Sequence, residues 1–275
     1  MSKYKTAELL KELDERIDKV QSSDEFKEVL EFFSKFHNYS YHNSILIMIQ
    51  KPKATLVAGY RQWQKKFDRH VKKGEKGIAI LAPFTYKKKK ADIDSNLDSD
   101  EEKEVTKTYF RPVYVFDVSQ TEGKSLPQID LSLENSDSTL FEPLKSYAIS
   151  KGIKVKLKSL RKGLDGYSEG GKIVINRKAN DTEKASILAH ETAHELLHFR
   201  DSKDVKLTKE ILEMEAEAVA FVVMNYFGVE IKSDKYLALY KKSYNLMESL
   251  KRISDISSAM IDYVLEIKSK LQKIS

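Results

Sequence analysis

Residues 181–199 read DTEKASILAHETAHELLHF, and this stretch decides how the C-terminal half of the chain is interpreted. Its apolar residues recur at helical spacing and a capping-type Asp181 or Thr182 begins it, so it predicts one long helix. His190 and His194 are four residues apart, which is about one helical turn, and they therefore project from one face. Two imidazoles on one face can bind a single metal ion and leave positions open for a third ligand and for water.

Glu191 follows the first histidine and lies roughly 100° further round the helix, beside the metal position rather than on it. From there a carboxylate can take a proton from a metal-bound water and pass it to a leaving amine. HExxH on a helix is therefore typical of zincin metallopeptidases, with Glu191 as the general base. A second frame, His194-Glu195-Leu196-Leu197-His198, overlaps the first. We favour the first frame, because His198 lies where the helix is expected to end and fray.

An acidic helix about twenty residues further on offers the third ligand, as in the gluzincin type of zincin. Its sequence Glu213-Met214-Glu215-Ala216-Glu217 places Glu213 and Glu217 four residues apart on one face. One carboxylate can bind the metal while the other accepts a hydrogen bond from a ligand imidazole, and the spacing does not choose between them. The expected cofactor is Zn²⁺, with Mn²⁺ as the alternative.

The β-branched run Lys172–Asn176, just before the ligand helix, predicts a strand. A strand, a ligand helix and a Glu helix in that order form the minimal core of a zincin. The strand is interpreted either as the edge along which an extended peptide adds, or as a plain structural strand. The competing interpretation of HExxH, a polar stripe on a soluble helix, is less consistent with this order of elements.

The composition narrows the class of protein further. The chain has 275 residues, 41% of them hydrophobic, which is enough for one large core or two smaller ones. It has no cysteine, so disulfides, thiolate metal sites and cysteine nucleophiles are excluded. No stretch approaches about 18 uninterrupted apolar residues and no signal-peptide core follows the N-terminus, so we expect a cytoplasmic protein with no membrane partner.

The charge is unevenly distributed along the N-terminal half. Residues 51–90 contain thirteen Lys and Arg and two acids, a net charge of +11, whereas residues 91–104 contain seven acids and one Lys. Aromatic residues interleaved with Lys and Arg suit single-stranded nucleic acid, because bases stack on rings and cations follow phosphates. The best stacking candidate is Trp63, and the full set of candidates is Tyr39, Tyr41, Asn43, Arg61, Trp63, Lys72, Lys73 and Lys76. The alternative is that the aromatic residues are core and the lysines form a solvated face.

The pattern along the chain predicts an α+β protein of two domains. Apolar runs at residues 77–83 and 110–116 predict strands that pair across an acidic loop at about 91–105. The polar segment 126–139 predicts a linker. The expected domains are 1–125, which contains the strand pair, and 140–275, which is mainly helical with a small sheet.

Several blocks of this sequence resemble one known family, in the right order. YSYHNSILI at 39–47, ATLVAGYRQW at 54–63, VKKGEKGIAILAP at 71–83 and VFDVSQTEG at 115–123 are similar to the N-terminal domain of ArdC-like antirestriction proteins. LAHE at 188–191 and EAEAVA at 215–220 are similar to that family's metallopeptidase-like domain, which resembles the ImmA and IrrE type. The match covers nearly the whole chain. It departs from the family at KKFDRH, residues 65–70, where a glycine is expected before the arginine.

The resemblance implies an N-terminal domain that binds single-stranded DNA and a C-terminal zincin-like domain. It implies carriage on a plasmid or conjugative element and protection of incoming DNA from host restriction. It also implies the first HExxH frame, with Glu213 as third ligand and Glu217 bonded to a ligand imidazole. Two functions are therefore expected as alternatives: a peptidase that cleaves an unidentified protein, or a non-catalytic DNA-protection protein whose metal site is structural.

Overall fold

The computed structural model describes residues 6–18, 23–89, 104–126, 139–199, 208–231 and 246–272. Within these ranges the helices are α1 (Thr6–Asp18), α2 (Ser23–Lys35), α3 (Tyr41–Gln50), α4 (Tyr60–Phe67), α5 (Phe141–Ser150), α6 (Asp181–His194), α7 (Lys209–Tyr226) and α8 (Leu246–Gln272). The strands are β1 (Val57–Gly59), β2 (Arg69–Val71), β3 (Ile78–Lys89), β4 (Glu104–Asp117), β5 (Thr121–Gly123), β6 (Lys154–Lys158), β7 (Gly166–Ser168) and β8 (Lys172–Asn176). A 3-10 turn at Val118–Gln120 follows β4, and a π-helical turn at Glu195–Phe199 continues α6. The predicted α+β fold is confirmed.

The chain divides into two compact units. Unit 1 contains Met1–Arg16 and Ile45–Leu126, and unit 2 contains Ile17–Ser44 and Pro127–Ser275. Unit 2 includes α2 because the apolar face of that helix packs against α7. The domains predicted from the sequence are 1–125 and 140–275, so they place α2 in the first domain, whereas the contacts place it in unit 2. The predicted domain boundaries stay a prediction. The linker at 126–139 and the acidic loop at 91–105 lie almost wholly outside the described residues.

Unit 1 is built on a long antiparallel ribbon. β3 pairs with β4 along the whole length of β3, which confirms that the two apolar runs pair with each other. β1 adds to the other edge of β4, so the strand order is β1-β4-β3. The buried carboxylate of Asp117, at the end of β4, accepts hydrogen bonds from the backbone N–H groups of Thr55 and Leu56 at 2.9 and 3.3 Å. These bonds hold the chain that leads into β1.

Unit 2 contains a three-stranded sheet in the order β6-β8-β7. β6 runs parallel to β8, and β7 runs antiparallel to it. Ile173, Val174 and Ile175 at the centre of β8 are fully buried. Of the two interpretations of Lys172–Asn176, the edge for an added peptide is therefore wrong and the structural strand is correct, because both sides of this strand are already paired.

The candidate site lies on α6 and α7, which pack against each other in unit 2. Nearly every side chain from Met214 to Met224 is buried, so α7 is a core helix despite the four glutamates in its N-terminal half. β7 and β8 pack against α6, and α8 packs against α7. In the described part of the chain, no helix is both long enough and apolar enough to span a membrane.

Candidate metal centre

The ligand helix begins with a reciprocal cap one residue before the predicted start. The side chain of Asn180 accepts from the backbone N–H of Glu183 at 2.8 Å, and the Glu183 carboxylate accepts from the N–H of Asn180 at 2.9 Å. These bonds satisfy two N–H groups that have no partner inside the helix. The cap therefore fixes the register in which α6 presents His190 and His194 to α7.

Three side-chain atoms converge where α6 faces α7. His190 Nε2 lies 3.0 Å from His194 Nε2, and Glu213 Oε2 lies 3.6 and 3.5 Å from these two nitrogens. A point equidistant from atoms at these three separations is about 2.0 Å from each, the length of a zinc–nitrogen or zinc–oxygen bond. The donor set and its spacing therefore fit one divalent ion. Among the described residues, this is the one His, Asp and Glu cluster with such spacing.

Glu213 and Glu217 take different positions around His190. The carboxylate of Glu217 lies 2.8 Å from His190 Nδ1, on the side of the ring opposite the converging atoms. A hydrogen bond there, with Nδ1–H as donor, leaves the Nε2 lone pair free for a metal. The geometry thus gives the metal-facing position to Glu213 and the imidazole-bonding position to Glu217, between which the spacing alone did not choose.

The two histidines differ in how readily they hold a proton when no ion is bound. Burial lowers the pKa of His190, but the carboxylates of Glu213 and Glu217 outweigh burial and raise that pKa to about 9. Burial and the neighbouring His190 together lower the pKa of His194 to about 4. The interaction with His190 lowers the pKa of Glu213 to about 2. A proton on His190 would therefore compete near neutral pH with a metal ion that binds at this cluster.

Glu191 lies on the β7 side of α6. The side chain is buried, burial raises its pKa, and the hydroxyl of Ser168 donates a hydrogen bond to it. Helix and strand approach closely here, because a Cβ on Gly166 would lie 2.4 Å from Ile187 Cγ2 and 3.6 Å from Glu191 Cγ. Glycine at this strand position is therefore required for the contact that places Glu191.

The second HExxH frame has another arrangement. His194 Nδ1 lies 3.0 Å from His198 Nδ1, and His198 Nε2 lies 3.2 Å from Glu215 Oε2. Glu195 is fully buried and accepts hydrogen bonds from the backbone N–H groups of Gly170 and Gly171. The sequence interpretation missed the contacts of His198 and Glu215. A carboxylate inside the apolar run of α7 was the available signal, because a fully buried Glu needs partners.

The predicted nucleic-acid residues are divided between the units. Tyr39, Tyr41 and Asn43 belong to unit 2, and Arg61, Trp63, Lys72, Lys73 and Lys76 belong to unit 1. Trp63 is fully buried, its indole N–H donates to the carbonyl of Phe116 at 2.9 Å, and Tyr41 is also buried. The prediction that these two rings stack on bases is wrong, because neither ring face is accessible. Tyr60, which the sequence interpretation did not single out, is 49% exposed at the start of α4.

The described cations of unit 1 are mostly exposed. Lys73, Lys76 and Arg61 lie on the surface, as do Lys65 and Lys66. Lys72 is also exposed, but its ammonium donates to the carbonyl of Ser119 at 3.0 Å. The predicted basic surface is thus present on this unit, without Trp63 as part of it.

Two family models match the chain. The N-terminal domain of anti-restriction factor ArdC matches residues 2–116, and the IrrE N-terminal-like domain, a peptidase family, matches residues 150–252. The second match contains His190, Glu191, His194, Glu213 and Glu217.

One curated relative resembles this chain in sequence, and one solved protein resembles it in fold. An uncharacterized Bacillus anthracis protein, pXO2-81, is 27% identical over 98% of this chain, and the chain spans 54% of that relative's length. The metal-free crystal structure of the antirestriction ArdC protein from plasmid R388 aligns with a TM-score of 0.51 and 17% identity, covering 83% of this chain and 84% of that one. At this identity the alignment supports the fold alone. The Mn(II)-bound structure of the same protein aligns with a TM-score of 0.45 and 18% identity.

Proposed function

We propose that this chain, which is an ArdC-like antirestriction protein by its pair of domains, hydrolyses peptide bonds with one divalent ion bound by His190, His194 and Glu213. The observation that carries the proposal is the convergence of three ligand atoms beside the buried carboxylate of Glu191. Imidazole and carboxylate ligands suit Zn²⁺, and Mn²⁺ is the alternative. When bound, the ion supplies a more acidic water and polarises a carbonyl group.

Glu191 is the proposed general base. Burial raises its pKa, so the carboxylate accepts a proton more readily than a solvated glutamate and keeps it long enough to pass it on. It takes the proton of the water whose oxygen adds to the peptide carbonyl carbon. It then gives that proton to the amide nitrogen as the C–N bond breaks, which leaves a carboxylic acid and an amine. The hydrogen bond from Ser168 orients the carboxylate for both steps.

β7 is the proposed edge for the peptide substrate. Backbone bonds from Asn176 to Asp165 and from Glu169 to Lys172 lie on either side of this strand. Because paired and unpaired positions alternate in an antiparallel ladder, Gly166 and Ser168 direct their N–H and C=O groups away from β8. An extended peptide that adds at this edge runs past Glu191, because Ser168 bonds to the Glu191 carboxylate and a Cβ on Gly166 would lie 3.6 Å from Glu191 Cγ. The substrate class is therefore an extended segment of a protein.

Cleavage of synthetic peptides tests the catalytic proposal. Wild type and Glu191→Gln, each loaded with zinc or manganese, are incubated with a mixture of unstructured peptides, and products are identified by mass spectrometry. We expect wild type to cut and Glu191→Gln to retain about one ion per chain without cutting, because Glu191 is the proposed base and is not one of the three proposed ligands. Glu142→Gln, an exposed glutamate on α5, is the matched control and keeps full activity. Equal cleavage by Glu191→Gln and wild type would refute this role.

Single-stranded DNA is the proposed partner of unit 1. Arg61, Lys65 and Lys66 are exposed along α4, whose first residue is the exposed ring of Tyr60. A ring that offers a face for stacking, next to cations that can follow phosphates, is the arrangement that binds single strands. Tyr60 therefore takes the stacking role that the sequence interpretation gave to Trp63.

Salt-dependent binding to an oligonucleotide tests the DNA proposal. Lys73→Ala/Lys76→Ala is expected to weaken binding to a thymidine oligomer, and to reduce the slope of log K against log salt by about 1.4, or roughly 0.7 for each lost phosphate contact. Lys154→Ala/Lys156→Ala, which removes two exposed lysines from β6 in unit 2, is the matched control. An unchanged slope in the first variant would place the DNA elsewhere.

The alternative function is non-catalytic protection of DNA, which the exposed basic surface of unit 1 favours. The two functions differ in what Glu191→Gln does to transfer of DNA into a restricting host. If protection needs only binding, this variant protects as well as wild type. Loss of protection, with the fold and DNA binding intact, supports the peptidase.

A further inference from the structure

A polar chain leads away from the metal-facing histidine into the core of unit 2. His194 Nδ1 lies 3.0 Å from His198 Nδ1, and His198 Nε2 lies 3.2 Å from Glu215 Oε2. On α8, Arg252 donates through Nε to both oxygens of Glu215 at 3.2 Å and also through Nη2, and the hydroxyl of Ser249 donates to Oε1. The side chain of His198 is 6% exposed and that of Glu215 is fully buried. The chain thus links three helical segments to one ligand.

The direction of each hydrogen bond follows from the far end of this chain. A guanidinium has donors and no acceptor, so Arg252 and Ser249 make Glu215 an ionised acceptor. His198 therefore donates its Nε2 proton to Glu215, and its Nδ1 carries a lone pair. That lone pair accepts the Nδ1 proton of His194. The result is that His194 has its lone pair on Nε2, the atom 3.0 Å from His190 Nε2.

We infer that His198 and Glu215 are positioning residues, which fix the tautomer and the ring orientation of His194 as a metal ligand. Arg252 and Ser249 of α8 in turn hold the carboxylate of Glu215 in place. The inference rests on the metal-binding part of the proposed function. A ligand imidazole usually donates directly to a carboxylate or carbonyl, as His190 does to Glu217. Among the described residues, His194 has no direct carboxylate partner of this kind on Nδ1, because His198 lies between it and the carboxylate of Glu215. The last helix is consequently part of the metal site, although it supplies no ligand.

The matched test compares three substitutions for their effect on zinc affinity. His198→Leu removes both bonds, and we expect a roughly 10- to 100-fold weaker zinc affinity, the usual effect of losing such a partner. His198→Gln keeps a carbonyl oxygen to accept from His194 and an NH₂ group to donate to Glu215, so it is expected to restore most of the affinity. His37→Leu is the control, because His37 is another mostly buried histidine of unit 2, bonded to Asp262 at 3.3 Å. Its zinc affinity is expected to match wild type.

Zinc affinity is measured by competition with a fluorescent chelator, on protein whose fold is checked by circular dichroism. An affinity in folded His198→Leu equal to wild type would overturn the inference while leaving the metal site intact. Failure of wild type itself to bind either zinc or manganese would overturn the proposed function, and the inference with it.

A direct measurement keeps the inference open to refutation if His198→Leu does not fold. Nitrogen-15 spectra of the histidine rings, recorded on zinc-loaded wild type, report which ring nitrogen carries the proton. We expect the proton of His194 on Nδ1 and that of His198 on Nε2. A proton on Nδ1 of His198 would overturn the inference, because His198 would then donate to His194 and not accept from it.

Discussion

Zinc affinity is expected to depend steeply on pH, because His190 must lose a proton before it binds a metal. The carboxylates of Glu213 and Glu217 raise the pKa of His190 to about 9 in the metal-free protein, and His194, with a pKa of about 4, is already neutral above pH 6. Binding therefore competes with one proton. The observed Kd scales with one plus the ratio of proton concentration to the His190 acid constant, so it falls about 50-fold between pH 7 and pH 9, or about 2.3 kcal/mol.

Competition titrations with a chelator of known pH dependence, at half-unit steps from pH 6.5 to 9.5, measure this effect. The slope of log Kd against pH is expected to be near minus one below pH 8 and to flatten above pH 9. Calorimetry at pH 7 in two buffers of different ionisation enthalpy is expected to show release of about one proton per zinc. Glu217→Gln removes one of the two carboxylates, so its curve is expected to flatten at a lower pH than that of wild type.

A Kd that changes less than about threefold between pH 7 and pH 9 would refute the reasoning, because His190 would then not hold the competing proton. Glu142→Gln, on the surface of α5, controls for a general change in charge and is expected to follow the wild-type curve.

Three further outcomes follow from the packing and the charges. Gly166→Ala is expected to lower the free energy of unfolding by about 1–3 kcal/mol, because the added methyl group meets Ile187 at 2.4 Å; an unchanged urea midpoint would contradict this close approach. Trp63→Ala is expected to cost about 3–5 kcal/mol, since it empties a fully buried site, whereas Arg61→Ala costs less than about 0.5 kcal/mol; similar losses in both would place Trp63 outside the core. In the metal-free protein the raised pKa of His190 contributes up to about 3 kcal/mol of stability, which is full below pH 6.5 and is lost as pH rises through about 9. Thermal unfolding of wild type against His190→Gln measures this last effect, and an equal pH dependence in both contradicts it.

Periodic features of the sequence predicted most of the secondary structure. The apolar spacing of residues 181–199 predicted α6, and the two apolar runs of the N-terminal half predicted that β3 and β4 pair. These predictions succeed because a helix or a strand buries one face, and the apolar residues of that face recur at a fixed period in the sequence. The proximity of His190 and His194 could be anticipated for the same reason, since four-residue spacing on a helix fixes their common face.

Features that depend on distant neighbours could not be read from the sequence in this way. Whether β8 is a central or an edge strand depends on where β7 lies, and three residues of β7 carry almost no periodic signal. Whether Trp63 is exposed depends on the face that α4 presents to β4, whose Phe116 carbonyl accepts the indole proton. An aromatic residue near an arginine has the same local sequence pattern whether its ring is buried or exposed. Only the burial of each ring in the structure distinguishes Trp63 from Tyr60. Tyr60, three residues earlier on the same helix, is the exposed ring.

The two overlapping HExxH frames differ in which ring nitrogens of their histidines approach each other. In the first frame the Nε2 atoms of His190 and His194 face each other and the carboxylate of Glu213 joins them. In the second frame the Nδ1 atoms of His194 and His198 face each other, and the nearest carboxylate lies on the far nitrogen of His198. One imidazole cannot direct the same nitrogen to both neighbours, so in the proposed site His194 would bind a metal through Nε2 and receive support from His198 through Nδ1. The π-helical turn at Glu195–Phe199 is where the helix departs from α geometry, at the residues that make this second contact. In this chain the shared histidine therefore favours one proposed metal site and its support over two competing sites.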